Sequence, residues 1–174
     1  MSKLAQVLVA TVALALVGSM AMAAEATSKP TLPAAVEKAF KDNFKISEIT
    51  SFDEVTEDGV TVYEIKFTVR KRQHETNISA DGTVMTKEIA VEIDKVPDAP
   101  QKAITAAAEG CTVKQVLKIE TTHEAKDSKV VKLDKVEKTF EAELVKGEQT
   151  AQVVVDEKGT VVEAPKWTKT KTTK

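Results

Sequence analysis

The sequence Asp-Gly-Thr-Val at residues 81–84 returns as Lys-Gly-Thr-Val at residues 158–161. In each case an aromatic residue, Tyr63 or Phe140, lies nineteen residues before the glycine. Self-similarity at a fixed spacing is the mark of a fold built from repeated modules. The sequence therefore predicts two similar units joined in tandem.

A helical pattern precedes each of these blocks. Pro33 suits the first turn of a helix, where the missing N–H is not needed. Val36, Phe40 and Phe44 then recur every fourth residue and place one apolar stripe on a helix of about three turns. Pro97 begins the corresponding stretch 64 residues later.

An alternating pattern follows the first helix. Tyr63, Ile65, Phe67 and Val69 alternate with polar residues, as in a half-buried strand. The Asp-Gly pair at 81–82 is a strong hairpin signal. A shift of 77 residues maps Tyr63, Ile65 and Phe67 onto the apolar residues Phe140, Ala142 and Leu144 in the second half. The predicted fold class is α+β, with two tandem units, each an N-terminal helix packed on an antiparallel β-sheet.

The two halves differ by thirteen extra residues between Leu117 and Phe140. Turn residues at 126–129 lie in the middle of this insertion. We expect the first hairpin of the second unit to be longer by about six residues per strand and to project about 20 Å beyond its counterpart. The alternation changes phase near Asp134-Lys135, which predicts a bulge or break there.

The N-terminus has the pattern of a secretory signal. Lys3 is followed by an apolar run over 4–17 and by the small-residue motif Ala21-Met22-Ala23, so cleavage is expected after Ala23. The predicted organisation is a signal peptide at 1–23, a linker at 24–31, unit one at 32–94, unit two with the extended hairpin at 95–167, and a disordered basic tail at 168–174. We expect a periplasmic or secreted protein with no stable membrane insertion after the signal is removed.

The charge balance argues against nucleic acid as a partner. The chain has 25 basic and 27 acidic residues and a net charge of −2, so it has no excess of cations to bind phosphates. Cys111 is the single cysteine and cannot form an intramolecular disulfide. We expect it to be a small buried side chain, and pairing with another molecule stays open as the alternative.

The sequence offers little material for catalysis. His74 is expected at a partly buried sheet rim and His123 near a solvated hairpin turn, and no nucleophile motif accompanies either. The histidines lack zinc-ligand spacing, and the acidic pairs at 53–54 and 57–58 lack the spacing of a calcium loop. The interpretation is a non-enzymatic protein with no cofactor and no metal site. The alternative is an envelope protein that uses its carboxylates as a weak cation site.

Three consecutive cations, Arg70, Lys71 and Arg72, form the tip of the hairpin after the alternating strand. Loops on a rigid sheet are common places for recognition residues. A solvated turn is the default interpretation. Among the surface features of the chain, this tip is the one we expect to contact an anionic partner. Trp167 follows the last strand and is expected to dock against the protein.

The motifs at 32–36, 62–65 and 81–84 resemble the PepSY-like, beta-lactamase-inhibitor-like family of exported bacterial proteins. The resemblance covers about residues 31–165 and is stronger in the first unit. It implies tandem helix-on-sheet modules that bind a protein or peptide partner in the cell envelope and that regulate or inhibit it, a peptidase included. This chain departs from the inhibitor-like members because it has no disulfides and no aromatic-rich sheet face, so the fold and the type of module carry over and an inhibited enzyme does not.

Overall fold

The computed structural model describes residues 31–45 and 48–169. Outside this range lie residues 1–30, 46–47 and 170–174. They include the predicted signal peptide, most of the predicted linker and Ile46, which the sequence pattern assigns to the first strand.

In the described residues, two helices and nine strands follow one another along the chain. Helix α1 (Ala34–Asn43) is followed by β1 (Glu48–Glu57), β2 (Val60–Val69), β3 (Arg72–Ser79) and β4 (Thr86–Val91). A 3-10 turn at Ile93–Lys95 leads into helix α2 (Asp98–Ala107). The second half continues with β5 (Thr112–Lys126), β6 (Lys129–Lys146), β7 (Gln149–Asp156), β8 (Val161–Glu163) and β9 (Thr168–Lys169). Each helix is therefore followed by a run of antiparallel strands, and the α+β class is confirmed.

All nine strands belong to one antiparallel sheet. Strands β1 to β8 are neighbours in sequence order, and β9 pairs with β7. The sequence analysis expected two units, each with its own sheet. Instead β4 pairs with β5 from Thr86↔Thr121 to Val91↔Val116, so the strands of both halves form one continuous surface. A free edge on each half would leave a row of unpaired backbone groups, and this pairing removes both edges.

One face of the sheet is covered by the two helices. Val36 and Phe40 of α1 are buried, and the Phe40 ring meets Phe67 edge to face at 5.1 Å between centroids. In the second half Ile104 of α2 lies in a buried cluster with residues that alternate along β6 and β7, namely Phe140, Ala142, Leu144, Val153 and Val155. These are the positions that the alternating pattern predicts to face inward.

A glycine turn packs against the first turn of each helix. Gly82 and Gly159 both have positive φ, +90° and +80°. A Cβ added to Gly82 would lie 2.9 Å from the carbonyl oxygen of Ala35, and one added to Gly159 would lie 2.6 Å from that of Ala99. Only glycine permits both this backbone conformation and this close approach.

The first hairpin of the second half is long, as predicted. Strands β5 and β6 have 15 and 18 residues, whereas β1 and β2 have 10 each. The register shifts between the pairs Thr121↔Glu137 and His123↔Lys132, which leaves residues 133–136 of β6 without partners in β5. The break expected near Asp134-Lys135 is confirmed.

The outer part of this hairpin, residues 122–136, is here called the arm, and it does not project freely. The backbone N–H of Ser128 donates to the carbonyl oxygen of Asp58 at 2.9 Å, and that of Asp127 donates to the Asp58 carboxylate at 2.7 Å. The expectation of a projecting arm is therefore wrong. The bulge bends the arm across the β3–β4 loop, and its tip binds the β1–β2 turn, which supplies acceptors for two otherwise unpaired donors.

His123 lies at this bend, and the expectation that it is solvated is wrong. It is partly buried, and its Nδ1 lies 3.2 Å from the carbonyl oxygen of Val84 and 3.0 Å from Oγ1 of Thr122. The Thr122 N–H also donates to the carbonyl oxygen of Met85 at 2.9 Å. These contacts fix the base of the arm on the β3–β4 loop.

The start of the basic tail is ordered. Thr168 and Lys169, expected to be disordered, pair with Thr150 and Gln149 of β7. Strand β8 pairs only with the far end of β7, at Val154 and Val155, so the near end offers free backbone groups to the tail. Trp167, expected to be docked, is 37% exposed.

Candidate functional site

The three consecutive cations form an exposed two-residue turn. Val69 and Arg72 are the last cross-strand pair of β2 and β3, and Arg70 and Lys71 connect them. Arg70, Lys71 and Arg72 are all exposed. Within residues 31–45 and 48–169 no ion pair engages them. Three positive charges are thus presented to solvent at one end of the sheet.

The backbone of this turn is strained. Arg70 and Lys71 have φ of 49° and 67°, a left-handed conformation that a two-residue hairpin turn favours and that suits Asn and Gly. A side chain in this region costs about 1 kcal/mol per residue. The position 77 residues after Arg70 is Gly147, which also has a positive φ, at 59°. The first half keeps a long basic side chain where the second half has the residue that avoids the strain.

A cavity of about 270 Å³ lies beside the turn, next to Val69. Phe44, Phe67 and His74 contribute aromatic surface, and the rings of Phe67 and His74 stack at 5.5 Å with an interplanar angle of 19°. Ile89, in the lining, is 38% exposed. The remaining lining residues are polar or charged: Asn43, Lys45, Glu75, Lys87 and Glu88.

The ionisable residues that line the cavity differ in their charge at neutral pH. Burial, together with the neighbouring carboxylates, raises the pKa of Glu88 to about 8, so this carboxyl is mostly neutral at pH 7. Burial and the nearby Arg72 lower the pKa of His74, which keeps its ring neutral. The Lys87 ammonium lies 5.6 Å from the centre of the Phe44 ring. Lys87 and Lys45 are therefore the main charges around an aromatic surface.

The face of the sheet away from the helices carries a row of carboxyl groups, here called the carboxyl face. Lys66 pairs with Glu75 and Glu75 with Glu88, so these side chains share one face across three strands. Glu64, on the same face, is only 8% exposed. Burial raises the pKa of Glu75 and of Glu64, and burial with neighbouring carboxylates raises that of Glu141 to about 7. The strand alternation placed these residues opposite the helices, but it gave no indication that they are desolvated.

Two members of the predicted acidic clusters have hydrogen-bond partners in the structure. Glu54 accepts a hydrogen bond from the Tyr63 hydroxyl at 2.9 Å, whereas Asp58 binds the tip of the arm. His74 is in β3 and His123 is in the arm. Across the described ranges, with their gap at 46–47, no group of three or more His, Cys, Asp or Glu side chains could hold a metal ion. No observation favours the weak cation site.

Two other sequence predictions concern Cys111 and the membrane. Cys111 has a free thiol, is partly buried and packs against the core beneath α2, with its Sγ 3.6 Å from the carbonyl oxygen of Glu109. In the part of the chain that the structure describes, no helix is long and apolar enough to cross a membrane.

Solved structures of other proteins match this fold. The chain has a BLIP-like fold. A BLIP-like protein from Bacteroides fragilis matches with a TM-score of 0.52 and 15% identity, over 84% of this chain and 92% of that chain. No family model matches the sequence, and no curated protein matches it.

Two further structures from Bacteroides share this BLIP-like arrangement. A protein described as periplasmic, from Bacteroides eggerthii, matches with a TM-score of 0.58 and 15% identity, over 79% of this chain and 90% of that chain. A DUF2874 family protein from Bacteroides uniformis matches with a TM-score of 0.55 and 15% identity, over 75% of this chain and 86% of that chain. At such low identity the likeness establishes the fold and leaves function to be argued from the surface.

Proposed function

We propose that this protein is an exported, non-enzymatic binding module that recognises an anionic surface or segment of another polypeptide through the turn Arg70-Lys71-Arg72. The partner is a protein or peptide of the cell envelope, and neither nucleic acid nor a membrane is required. Regulation or inhibition of that partner, a peptidase included, belongs to the same proposal.

The strained basic turn carries the proposal. Backbone strain persists where the surrounding structure holds it, and it is concentrated at functional positions. Arg70 and Lys71 adopt a conformation that costs free energy, yet neither side chain makes an ion pair with a described residue. A pair of exposed cations on a rigid hairpin is well suited to carboxylates of a partner, which arginine binds through two parallel hydrogen bonds.

Two kinds of spatial agreement support the view that the halves are copies of one module. The pair Tyr63↔Ile78 in the first half and the pair Phe140↔Val155 in the second are related by the same shift of 77 residues. The glycine turns are related by that shift as well, and each lies against an alanine carbonyl, at Ala35 or Ala99, near the start of its helix. Duplication explains why both contacts recur.

The proposed location is the periplasm or the exterior. It rests on the secretory pattern at 1–23, with cleavage after Ala23. The similar protein from Bacteroides eggerthii is itself described as periplasmic. N-terminal sequencing of the mature protein from an envelope fraction should begin at Ala24, and an uncleaved Met1 in the mature pool would contradict export.

A comparison of two charge variants tests the proposed function. Arg70, Lys71 and Arg72 are changed together to Ser, and the matched control changes Lys126, Lys129 and Lys132, which are exposed cations of the long hairpin, to Ser. Proteins retained from an envelope extract are then quantified by mass spectrometry. We expect the first variant to lose a partner that the wild type and the control retain. Equal retention by all three proteins would overturn the assignment of the turn.

A further inference from the structure

The residues that line the cavity beside the basic turn indicate what kind of segment the partner presents. We propose that the cavity receives one apolar side chain, aromatic or aliphatic, of an acidic polypeptide segment, whose flanking carboxylates contact Arg70, Lys71 and Arg72. This inference rests on the proposed function, because it takes the turn as the place where the partner binds.

The size of the cavity fits a single side chain. Its volume of about 270 Å³ falls just below the range of about 300–1,000 Å³ that is usual for sites of small molecules. Its aromatic surface comes from Phe44, Phe67 and His74. Ile89, on β4, contributes a side chain that is 38% exposed. Phe67 is already buried, so an apolar side chain that filled the cavity would remove the exposed parts of Phe44, His74 and Ile89 from water.

The charges around the cavity select an acidic segment. Lys45 and Lys87 line it, and Val69, which also lines it, is bonded directly to Arg70. Glu75 and Glu88 also line it, but their side chains belong to the carboxyl face, on the other side of the sheet from the aromatic surface. A segment with carboxylates on both sides of its apolar residue would meet cations on the turn and at the cavity wall. A basic segment would meet like charge, which disfavours binding.

Three synthetic peptides test the inference with the mature protein. The probes are acetyl-Glu-Glu-Phe-Glu-Glu-amide, the same peptide with a central Ala, and acetyl-Lys-Lys-Phe-Lys-Lys-amide. Affinities are measured by titration followed through the backbone amide signals of Val69, His74 and Ile89. We expect the acidic Phe peptide to bind about tenfold more tightly than the acidic Ala peptide, as expected for partial burial of a Phe side chain. The basic peptide should bind at least about tenfold more weakly than the acidic Phe peptide.

Two variants with the same change in net charge separate binding at the cavity from the effect of the protein's overall charge. Ile89→Asp places a carboxylate at the cavity, and because Ile89 is exposed the fold should tolerate it. Lys129→Gln makes the same unit change at the tip of the arm. We expect Ile89→Asp to reduce the affinity for the acidic Phe peptide to that for the Ala peptide, and Lys129→Gln to have no effect. Equal losses in both variants would overturn the cavity site.

The outcomes also distinguish this inference from the proposed function. If the two acidic peptides bind wild type equally, and both are lost when Arg70, Lys71 and Arg72 are changed to Ser, the cavity inference is wrong and the turn remains the binding site. If the Phe peptide still binds the triple variant more tightly than the acidic Ala peptide does, the cavity binds without the turn. The proposed function is then wrong in assigning the turn as the binding site. If no acidic peptide binds wild type, both are overturned.

Discussion

The backbone N–H of Asp127 donates to the carboxylate of Asp58 across 2.7 Å, although the two residues are 69 positions apart. This bond, with the one from the Ser128 N–H to the Asp58 carbonyl oxygen, joins the tip of the long hairpin to the first hairpin of the protein. The β1–β2 turn belongs to the first half and the arm tip belongs to the second half, yet the two are in contact. The two halves are therefore connected by the β4–β5 pairing, by the base of the arm on the β3–β4 loop and by this contact.

The first prediction concerns Gly59, which lies under the arm tip. A Cβ added there would clash with Oγ of Ser128, and φ is +78°. Gly110 has a similar φ of +72° with no atom within 4 Å of the added Cβ, so Gly110→Ala is the matched control for backbone strain alone. We expect Gly59→Ala to lower the free energy of unfolding by about 1–2 kcal/mol more than Gly110→Ala, measured by urea denaturation.

A second substitution shows whether that loss comes from the arm. Adding Ser128→Gly to Gly59→Ala removes the side chain that clashes and should recover most of the difference from Gly110→Ala. Faster hydrogen exchange at the amides of Asp127 and Ser128 in Gly59→Ala alone should accompany the loss. Unchanged exchange there would mean that the tip is not held by this contact.

The second prediction compares the two glycine turns that pack on the helices. In Gly82→Ala and Gly159→Ala the new methyl would meet the carbonyl oxygen of Ala35 or Ala99, which is backbone and cannot rotate away. Each substitution should lower the free energy of unfolding by about 2–4 kcal/mol, the sum of left-handed strain and displacement of a helix. Gly147→Ala, with φ of 59° and open space around it, should cost about 1 kcal/mol. Losses at Gly82 or Gly159 no larger than at Gly147 would show that the helices are not seated on these turns.

The third prediction is a fall in stability as the pH rises. The folded protein raises the pKa of Glu88 from 4.5 to about 8 and that of Glu141 from 4.5 to about 7, mainly by burial. Between pH 4.5 and about pH 8 the folded state binds more protons than the unfolded state. The contribution of these groups is therefore complete below about pH 4.5 and is lost as the pH approaches 8. We expect the free energy of unfolding to fall by roughly 2–4 kcal/mol from pH 5 to pH 8.

Glu88→Gln tests the origin of this fall. Gln cannot ionise, so the variant should be more stable than wild type at pH 8 and should show a flatter dependence on pH. Glu75, Glu64 and Glu141 would still contribute part of the slope. Glu148→Gln, at the exposed β6–β7 turn, is the control and should leave the profile unchanged. A wild-type stability that rises from pH 5 to pH 8 would contradict the desolvation of the carboxyl face.

The fourth prediction separates stability from binding at the basic turn. Changing Arg70 and Lys71 together to Gly removes the side chains that strain this left-handed backbone. The free energy of unfolding should therefore stay the same or rise by up to about 1 kcal/mol. The same variant should lose affinity for acetyl-Glu-Glu-Phe-Glu-Glu-amide. A loss of stability greater than about 1 kcal/mol would mean that these side chains support the fold instead of being held for a partner.

Local features of the fold are predictable from the sequence because their causes are local. Pro33 and Pro97 precede the two helices, and the alternation around Tyr63 and Phe140 marks the strands that pack against them. The insertion after Leu117 lengthens the hairpin as expected, and the change of phase marks its bulge. Each of these depends on neighbours a few residues away or on a repeat.

The remaining features depend on contacts between distant residues. Nothing near Asp58 indicates that its carboxylate will accept a bond from Asp127, and nothing near Thr86 indicates that β4 will pair with β5. Glu88 has a polar position in its strand, and its desolvation depends on what surrounds it on the sheet. The cavity is formed by residues of α1, β2, β3 and β4, and only the basic turn beside it was visible in the sequence.

Site-specific photo-crosslinking tests the binding role of the turn most directly. A benzophenone side chain replaces Lys71 in one protein and Lys129, at the arm tip, in another, and both are irradiated in an envelope extract. The account predicts a discrete adduct from position 71 that is absent from position 129, with the crosslinked peptide acidic and carrying an apolar residue. An adduct from position 129 alone, or none from position 71, would contradict it.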